Sequence, residues 1–417
     1  MNGSSRALSS ARLVGGMVSA HICSLLGSAA YASALVELAR LWGLNSTRAG
    51  SISSAYFVGY TVGVPLLVAL TDRLDARVIY LVGCGVGAVA GACFAGLASG
   101  FWSALCLQAM AGLAIGGTYM PGLRLLTSRL AFHTRIRVVP YYTTSFPVGT
   151  SVSLMLSGWI AVRYGWRATF LMGGFGSLAA AALALIATWG YPVQPDLNVV
   201  STRHAFDFRP VLRNRAALIY VLAYAGHCWE LFAFRSWLPT YLLYVWTLLN
   251  SSAPKLWVSR WSMLIVLAGV PASILGAELA NPENRNRLIR RVQFASVGVS
   301  LLSVIFVNFS LALAVVALFV YHVAAAADSG ALTAGLIATA KPAEQGVTLA
   351  IYSFFGFAGA SIGPLVVGRV LDFAGGFNGA HAWYLGFAAM AVGSVLAATA
   401  MSLVRFGLAC SAESARN

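Results

Sequence analysis

The sequence predicts an all-α polytopic membrane protein with twelve transmembrane helices in two six-helix halves. Of its 417 residues, 59% are hydrophobic and only 9% are charged, and the mean hydropathy is +0.79. Apolar windows of roughly 20 residues, the length that crosses a bilayer, recur along the chain. Transmembrane β-strands alternate apolar and polar residues and give weaker hydropathy, so a β-barrel is not expected.

Short charged turns separate these apolar windows. The clearest lies at residues 67–80, LVALTDRLDARVIY, where four charged residues fall within six positions. A second turn, at Asn308 and Ser310, divides one long apolar run into spans nine and ten. The twelve predicted spans cover about residues 13–36, 49–70, 78–98, 103–126, 139–162, 168–189, 216–240, 261–281, 292–308, 311–338, 347–370 and 381–404.

The distribution of Lys and Arg predicts that both termini are cytoplasmic. With twelve spans, eighteen basic residues fall in cytoplasmic segments, seven in outer segments and two within spans. This excess follows the positive-inside rule. The basic stretch at residues 1–12 leads into an apolar run long enough to remain as a span, so no cleavable signal is expected. We therefore expect a multi-pass protein of the inner (plasma) membrane, embedded in the lipid bilayer.

The longest polar segment inside the chain predicts the domain boundary. Residues 190–215 contain three prolines and four arginines, which is typical of a linker. This cytoplasmic loop separates an N-terminal half, residues 1–189, from a C-terminal half, residues 216–417. Two six-span halves are the layout of transporters built from repeats, with a site between the halves. A receptor or scaffold is the less favoured alternative.

Several other classes are not expected. The net charge of +15 comes from scattered basic residues rather than a basic, aromatic-rich domain, so we expect no nucleic acid partner. No nucleotide-binding motif, metal cluster or nucleophile arrangement is present, so we expect no enzyme, cofactor or metal. The six cysteines lie mostly within apolar runs, where they serve packing. We expect the protein to act as a monomer.

The turn after span two resembles the signature turn of the major facilitator superfamily, G-x-x-x-D-R-x-G-R-R. Together with twelve spans, the central loop and the GWR at residues 165–167, the resemblance covers nearly the whole chain. It implies the major facilitator fold and transport by alternating access. The matching residues are Asp72, Arg73 and Arg77, and the departures are Val68, Asp75 and Ala76.

In that family the signature turn is a latch that holds the cytoplasmic ends of neighbouring helices together in the outward-facing state. We expect its two carboxylates to face arginines at the end of span four, as a partly desolvated charge cluster. For Arg124, extension to the lipid headgroups is the alternative. The predicted gating residues are Asp72, Arg73, Asp75, Arg77, Arg124 and Arg129.

Span four resembles the family's second motif, R-x-x-x-G-x-x-x-G. Gly112 and Gly116 are in place, and Gln108 occupies the Arg position. In proton-coupled members that Arg is often tied to coupling, and span five also lacks the Gly-Pro ending of the antiporter motif. These departures argue against drug/proton antiport.

Ionisable residues within spans are costly in lipid and predict a functional site. Span seven carries His227, Glu230 and Arg235. His227 and Glu230 are three residues apart and share a helix face. This spacing predicts a proton site, or a carboxylate that orients an imidazole. Glu230 and Arg235 are five apart and point in different directions, so they are not expected to pair.

Span ten places His322 near the midplane and Asp328 further toward the cytoplasm, and span one adds His21 at middle depth. The resemblance implies that spans one, four, seven and ten line the transport cavity, and the buried ionisable residues fall largely on this set. For each single histidine, a hydrogen bond in helix packing is an equal alternative.

These residues predict a secondary transporter for a small solute, an organic anion carried with protons as a symporter. A guanidinium suits a carboxylate because it donates in a fork, and tyrosines provide aromatic walls. Efflux of amphipathic compounds and a non-transporting sensor or scaffold are the alternatives. The predicted proton-coupling residues are Glu230 and Asp328, and the predicted substrate-binding residues are Arg235, His227, His322, His21, Gln108, Tyr56 and Tyr60.

Overall fold

The computed structural model describes residues 3–71, 73–130, 132–191, 209–249, 255–340 and 345–414, and all regular structure within these ranges is helical. Most of the predicted linker and the predicted gating residue Asp72 lie outside the described residues. The helices are α1 (Gly3–Ser24), α2 (Ala30–Trp42), α3 (Ser46–Leu70), α4 (Ala76–Leu97), α5 (Phe101–Thr127), α6 (Phe132–Tyr164), α7 (Trp166–Ala187), α8 (Arg209–Arg213), α9 (Arg215–Leu249), α10 (Lys255–Leu279), α11 (Arg285–Ile305), α12 (Leu311–Ala326), α13 (Ser329–Thr339), α14 (Gln345–Phe373) and α15 (Ala380–Ser414).

Eleven helical stretches among the described residues are long and apolar enough to cross a membrane, and they coincide with predicted spans two to twelve. The all-α membrane fold class is therefore confirmed. The predicted division between spans nine and ten is also present. A short 3-10 helix, Phe306–Asn308, follows α11, and the Ser310 side chain caps α12 by accepting a hydrogen bond from the Leu313 amide at 3.2 Å.

The first predicted span differs from the expected single helix because it is divided between α1 and α2. Ser153 of α6 donates to the Leu26 carbonyl at 2.5 Å and accepts from the Ala29 amide at 3.1 Å. The hydroxyl thus pairs with backbone groups at the break, which would otherwise lack helical partners. The side chain that satisfies these groups belongs to a residue more than a hundred positions away.

The chain forms two compact units. Unit 1 consists of Met1–Leu44, Ala55–Thr202 and Pro254–Leu267, and unit 2 of Asn45–Ser54, Arg203–Ala253 and Ala268–Asn417. Each has its own apolar core: Leu13, Met17 and Tyr80 lie in that of unit 1, and Val221 and Leu332 in that of unit 2. Helices α3 and α10 are each divided between the units.

Small residues let helices approach closely within each unit. A Cβ added to Gly112 of α5 would lie 1.7 Å from the Tyr56 carbonyl oxygen of α3, and one added to Gly359 of α14 would lie 2.1 Å from the Ala225 carbonyl oxygen of α9. Both neighbours are backbone atoms that cannot move away cheaply. Gly112, which belongs to the second motif, is therefore required for helix packing.

Candidate functional site

A close contact between a buried histidine and a buried carboxylate joins α9 to the junction of α12 and α13 in unit 2. His227 Nδ1 lies 2.9 Å from Asp328 Oδ1, and both side chains are 1% exposed. His227 Nε2 lies 2.7 Å from the Ser329 hydroxyl, and Gln293 of α11 donates to Asp328 Oδ2. Buried polar groups are stable only when paired, so these contacts hold the imidazole and the carboxylate in fixed positions.

Glu230 lies on the same helix and is fully buried. Its Oε1 accepts hydrogen bonds from the hydroxyls of Ser296 at 3.1 Å and Tyr321 at 3.0 Å, and Oε2 accepts from Ser394. The three donors belong to α11, α12 and α15. A carboxylate inside the protein is thus solvated by hydroxyls rather than by an arginine or lysine.

Of the two alternatives for His227 and Glu230, a proton site or a carboxylate that orients the imidazole, the structure does not show the second. The two residues share a helix face, but the carboxylate that orients the His227 imidazole is Asp328. Glu230 takes its partners from three other helices. Helical spacing fixes which residues point in one direction, whereas partners across the helix interface depend on which neighbours pack there.

Arg235 is partly buried on α9, two helical turns beyond His227. Its guanidinium lies over the Phe232 ring, 5.5 Å from the centroid, and its Nε is buried without a hydrogen-bond partner. In the part of the chain that the structure describes, no carboxylate forms an ion pair with Arg235. As expected, Glu230 does not pair with it. Arg235 therefore keeps hydrogen-bond donors available for a negatively charged ligand.

The structure places the other two predicted histidines within helix packing. His21 is fully buried in unit 1, stacked on Tyr119 and Tyr142 at 5.1 and 4.9 Å between ring centroids, with Nδ1 2.6 Å from the Ser145 hydroxyl. His322 is fully buried in unit 2 and stacks on Phe234 at 5.4 Å. The contacts of His21 are those of a histidine that makes a hydrogen bond between packed helices.

Tyr56 and Gln108 line one small cavity in unit 1. The cavity has a volume of about 40 Å³, enough to hold water. The Tyr56 side chain is buried, and its hydroxyl has no hydrogen-bond partner among the described residues. Tyr60 is buried on the same helix but does not line this cavity. Ser24 and Ser28 add further hydroxyls to the cavity wall.

The signature turn forms part of the expected charge cluster. Arg129 Nη2 lies 2.9 Å from Asp75 Oδ2 and 3.1 Å from Oδ1, and the Asp75 side chain is 1% exposed. The predicted contact between these residues is therefore present. Arg77 donates to the Thr188 and Tyr191 carbonyls at 2.9 and 3.0 Å, Arg124 donates to the Thr71 hydroxyl at 2.6 Å, and Arg73 is exposed.

Sequence reasoning missed the neutral partners in unit 2. These partners lie within the predicted spans and are Gln293, Ser296, Ser329 and Ser394. A signal was present in α11, because its buried serines at 296, 300 and 303 recur at helical spacing within an apolar segment. Such a stripe indicates a polar face turned toward neighbouring helices.

Together, the spans and these buried groups define a polytopic helical membrane protein with ionisable residues in its membrane-spanning part. In such proteins, these residues mark ion and solute pathways. The sequence profile of the Major Facilitator Superfamily matches residues 17–364, and the chain belongs to this superfamily. The resemblance of the signature turn is thereby confirmed.

Individual relatives are transporters. The chain is 24% identical to the niacin transporter NiaP of Acinetobacter baylyi over 34% of its length and 32% of that protein's. It is 24% identical to the hexuronate transporter of Bacillus subtilis over 48% of its length and 49% of that protein's. Both alignments thus span half or less of the relative.

Among solved structures, a bacterial homolog of the human lysosomal transporter Spinster, in an inward-facing and occupied conformation, has a similar fold. The TM-score is 0.77 at 14% sequence identity, and the match covers 94% of this chain and 95% of that one. This likeness establishes the fold.

Proposed function

We propose that the protein is a secondary active transporter that moves a small organic anion across the inner membrane by alternating access, as a proton symporter. The observation that carries this proposal is Arg235, a partly buried guanidinium on α9 with no ion pair among the described residues. A desolvated charge without a counter-ion is costly, and a bound carboxylate would offset that cost.

The contacts of Arg235 favour a carboxylate ligand. The Phe232 ring lies against its guanidinium and orients the planar fork, from which two parallel N–H groups can donate to one carboxylate. Relatives named for niacin and hexuronate, both organic anions, support the same substrate class.

Proton coupling in this proposal belongs to the buried acids of unit 2. In this proposal a proton taken up by Asp328 would change its contact with His227 and free the junction of α12 and α13 to move. Glu230 is the second candidate proton carrier. Both His227 and Glu230 lie on the helix that carries Arg235, at about 12 Å and 8 Å along its axis. A change of protonation on α9 can therefore alter anion binding through one rigid element.

The gate in this proposal includes the pair Asp75–Arg129 at the cytoplasmic end. Asp75 makes two contacts: it caps α4 by accepting a hydrogen bond from the Arg77 amide at 2.7 Å, and it pairs with Arg129 at the end of α5. The two contacts together connect the start of α4 to the end of α5. A pair that is desolvated but reached by water at one edge can hold two helices and still release them.

The proposal is tested by ligand-induced thermal stabilisation of the purified protein. Small carboxylates, other oxyanions, amines, sugars and amphipathic drugs would be compared at acidic and slightly alkaline pH, because ligands that bind the folded state raise the melting temperature. We expect one class of carboxylates to stabilise the protein. Stabilisation by amphipathic compounds alone would instead indicate efflux, and the absence of any response would favour a sensor or scaffold.

The Arg235→Ala variant links binding to the site. Loss of a hydrogen bond to a charged group should weaken carboxylate binding by about 1.5–3 kcal/mol. Arg163→Ala is the matched control, because Arg163 also lies over an aromatic ring, Trp159 at 5.0 Å, but is exposed. Equal affinity of the Arg235→Ala variant and the unmodified protein would remove Arg235 from the proposed site.

A further inference from the structure

The small cavity of unit 1 lies beside the break between α1 and α2. Every residue that lines it belongs to unit 1. Ser24, at the end of α1, and Gly27 and Ser28, between α1 and α2, form one part of its wall, and the rest comes from α3, α4, α5 and α7. The cavity therefore lies where predicted span one is interrupted, and where polar groups must find their partners within the protein or in ordered water.

Two hydroxyl groups on the cavity wall are buried and have no hydrogen-bond partner among the described residues. They belong to Ser28, at the break, and to Tyr56 of α3, a residue that is 8% exposed. A buried hydroxyl that lacks a partner destabilises the folded state. In folded proteins such groups are commonly satisfied by ordered water.

Other polar groups of the wall can complete the partners that a water molecule needs. The Ser24 hydroxyl donates to the His21 carbonyl at 2.8 Å, and its oxygen can still accept a hydrogen bond. The Ser177 hydroxyl donates to the Gly173 carbonyl at 3.1 Å and can accept in the same way. Gln108 is 5% exposed and adds an amide that both donates and accepts. A buried water requires two to four polar partners, and the wall provides them.

The chemistry of the wall favours water over an ion. No charged side chain is among the residues that line the cavity. A buried ion without a counter-charge is costly, whereas a neutral water molecule exchanges hydrogen bonds with hydroxyls and amides at little cost. The volume of about 40 Å³ is also of the size that holds water.

We propose that this cavity is a hydration site, in which ordered water bridges Ser28 at the break of span one to Tyr56 of α3 and Gln108 of α5. Ser153 of α6 satisfies the backbone of the break on its own side, through the Leu26 carbonyl and the Ala29 amide. Water supplies the partners that the Ser28 and Tyr56 hydroxyls lack. The site joins three membrane helices through water, and it does so whatever solute the protein carries.

The first test uses the sign of a stability change. Ser28→Ala and Tyr56→Phe each remove one hydroxyl and keep the rest of the side chain. Because each variant loses a hydrogen bond to water, the melting temperature of the detergent-solubilised protein should fall by about 2–4 °C. In a dry cavity each variant would remove an unsatisfied hydroxyl and raise the melting temperature. An unchanged or raised melting temperature in both variants would overturn the proposal.

Ser157 of α6 provides the matched control. Its hydroxyl is also buried without a hydrogen-bond partner among the described residues, but Ser157 does not line the cavity. Ser157→Ala should therefore leave the melting temperature unchanged or raise it. A fall equal to that of Ser28→Ala would mean that loss of any buried hydroxyl destabilises the protein, and it would remove the support that the first test gives.

The second test detects the water itself. A short X-ray pulse converts bound water into hydroxyl radicals, which modify the side chains beside it, and mass spectrometry locates the modified residues. Tyr56 should be modified severalfold faster than Tyr31, a tyrosine of α2 that is 3% exposed and does not line the cavity. Ala111→Val adds apolar volume at the cavity wall and should slow modification of Tyr56 without affecting Tyr31.

Equally slow modification of Tyr56 and Tyr31 in the folded protein would refute the hydration site. Neither test involves the transported solute, so the outcome is separate from that of the anion proposal.

Discussion

The contact between His227 and Asp328 allows a quantitative test of the polar network in unit 2. Asp328→Ala removes the carboxylate that faces His227 Nδ1 and Gln293 Nε2. The side chains of His227 and Gln293 are both buried. Leaving a buried polar group without its hydrogen-bond partner costs about 1–3 kcal/mol, because that group stays desolvated. The free energy of unfolding should fall by about this amount.

A double-mutant cycle isolates the pair from the rest of the network. His227→Ala removes the same contact, so the double variant should be destabilised by about 1–3 kcal/mol less than the sum of the single variants. Unfolding of the detergent-solubilised protein near neutral pH would be followed by tryptophan fluorescence, with the exposed Glu278→Gln as the control. Additive effects would refute the reasoning, since they would mean that the two side chains do not stabilise each other.

Two other substitutions test proton coupling and the gate. Glu230→Gln keeps the shape and one acceptor oxygen but cannot titrate, so proton-driven uptake into proteoliposomes should be lost while substrate exchange continues; an unchanged pH dependence would exclude Glu230 as the proton carrier. Asp75→Asn can still cap α4 but loses the ion pair with Arg129, so a cysteine placed next to this pair, at the start of α4 or the end of α5, should react about tenfold faster. An unaltered reaction rate, with Glu283→Gln as the control, would remove this pair from the gate.

Hydropathy predicted the spans well because the length and polarity of a segment are local properties. Spans two to twelve coincide with apolar helices, and the turn at Asn308 and Ser310 lies where the polar residues indicated it. The contact of Asp75 with Arg129 could also be anticipated, because both residues lie at helix ends that a short connection keeps on one side of the membrane.

Contacts between helices could not be predicted in the same way. A membrane helix that is apolar on most faces gives little indication of which face meets which neighbour, so the rotation of each helix about its axis is undetermined. The sequence placed His227 and Glu230 on one helix face. Only the packing of the helices determined that His227 contacts Asp328 and that Glu230 accepts hydrogen bonds from three hydroxyls.

The amino-acid sequence by itself determined the membrane class, the position of the spans and the charged turn of the superfamily, because these depend on the free energy of placing short segments in lipid. The tertiary structure decided the break between α1 and α2, the partners of the buried acids and the capping of α3 by Asp372. Each of these depends on a hydrogen bond from a distant helix, and inside a bilayer a backbone or carboxylate group must find its partner within the protein.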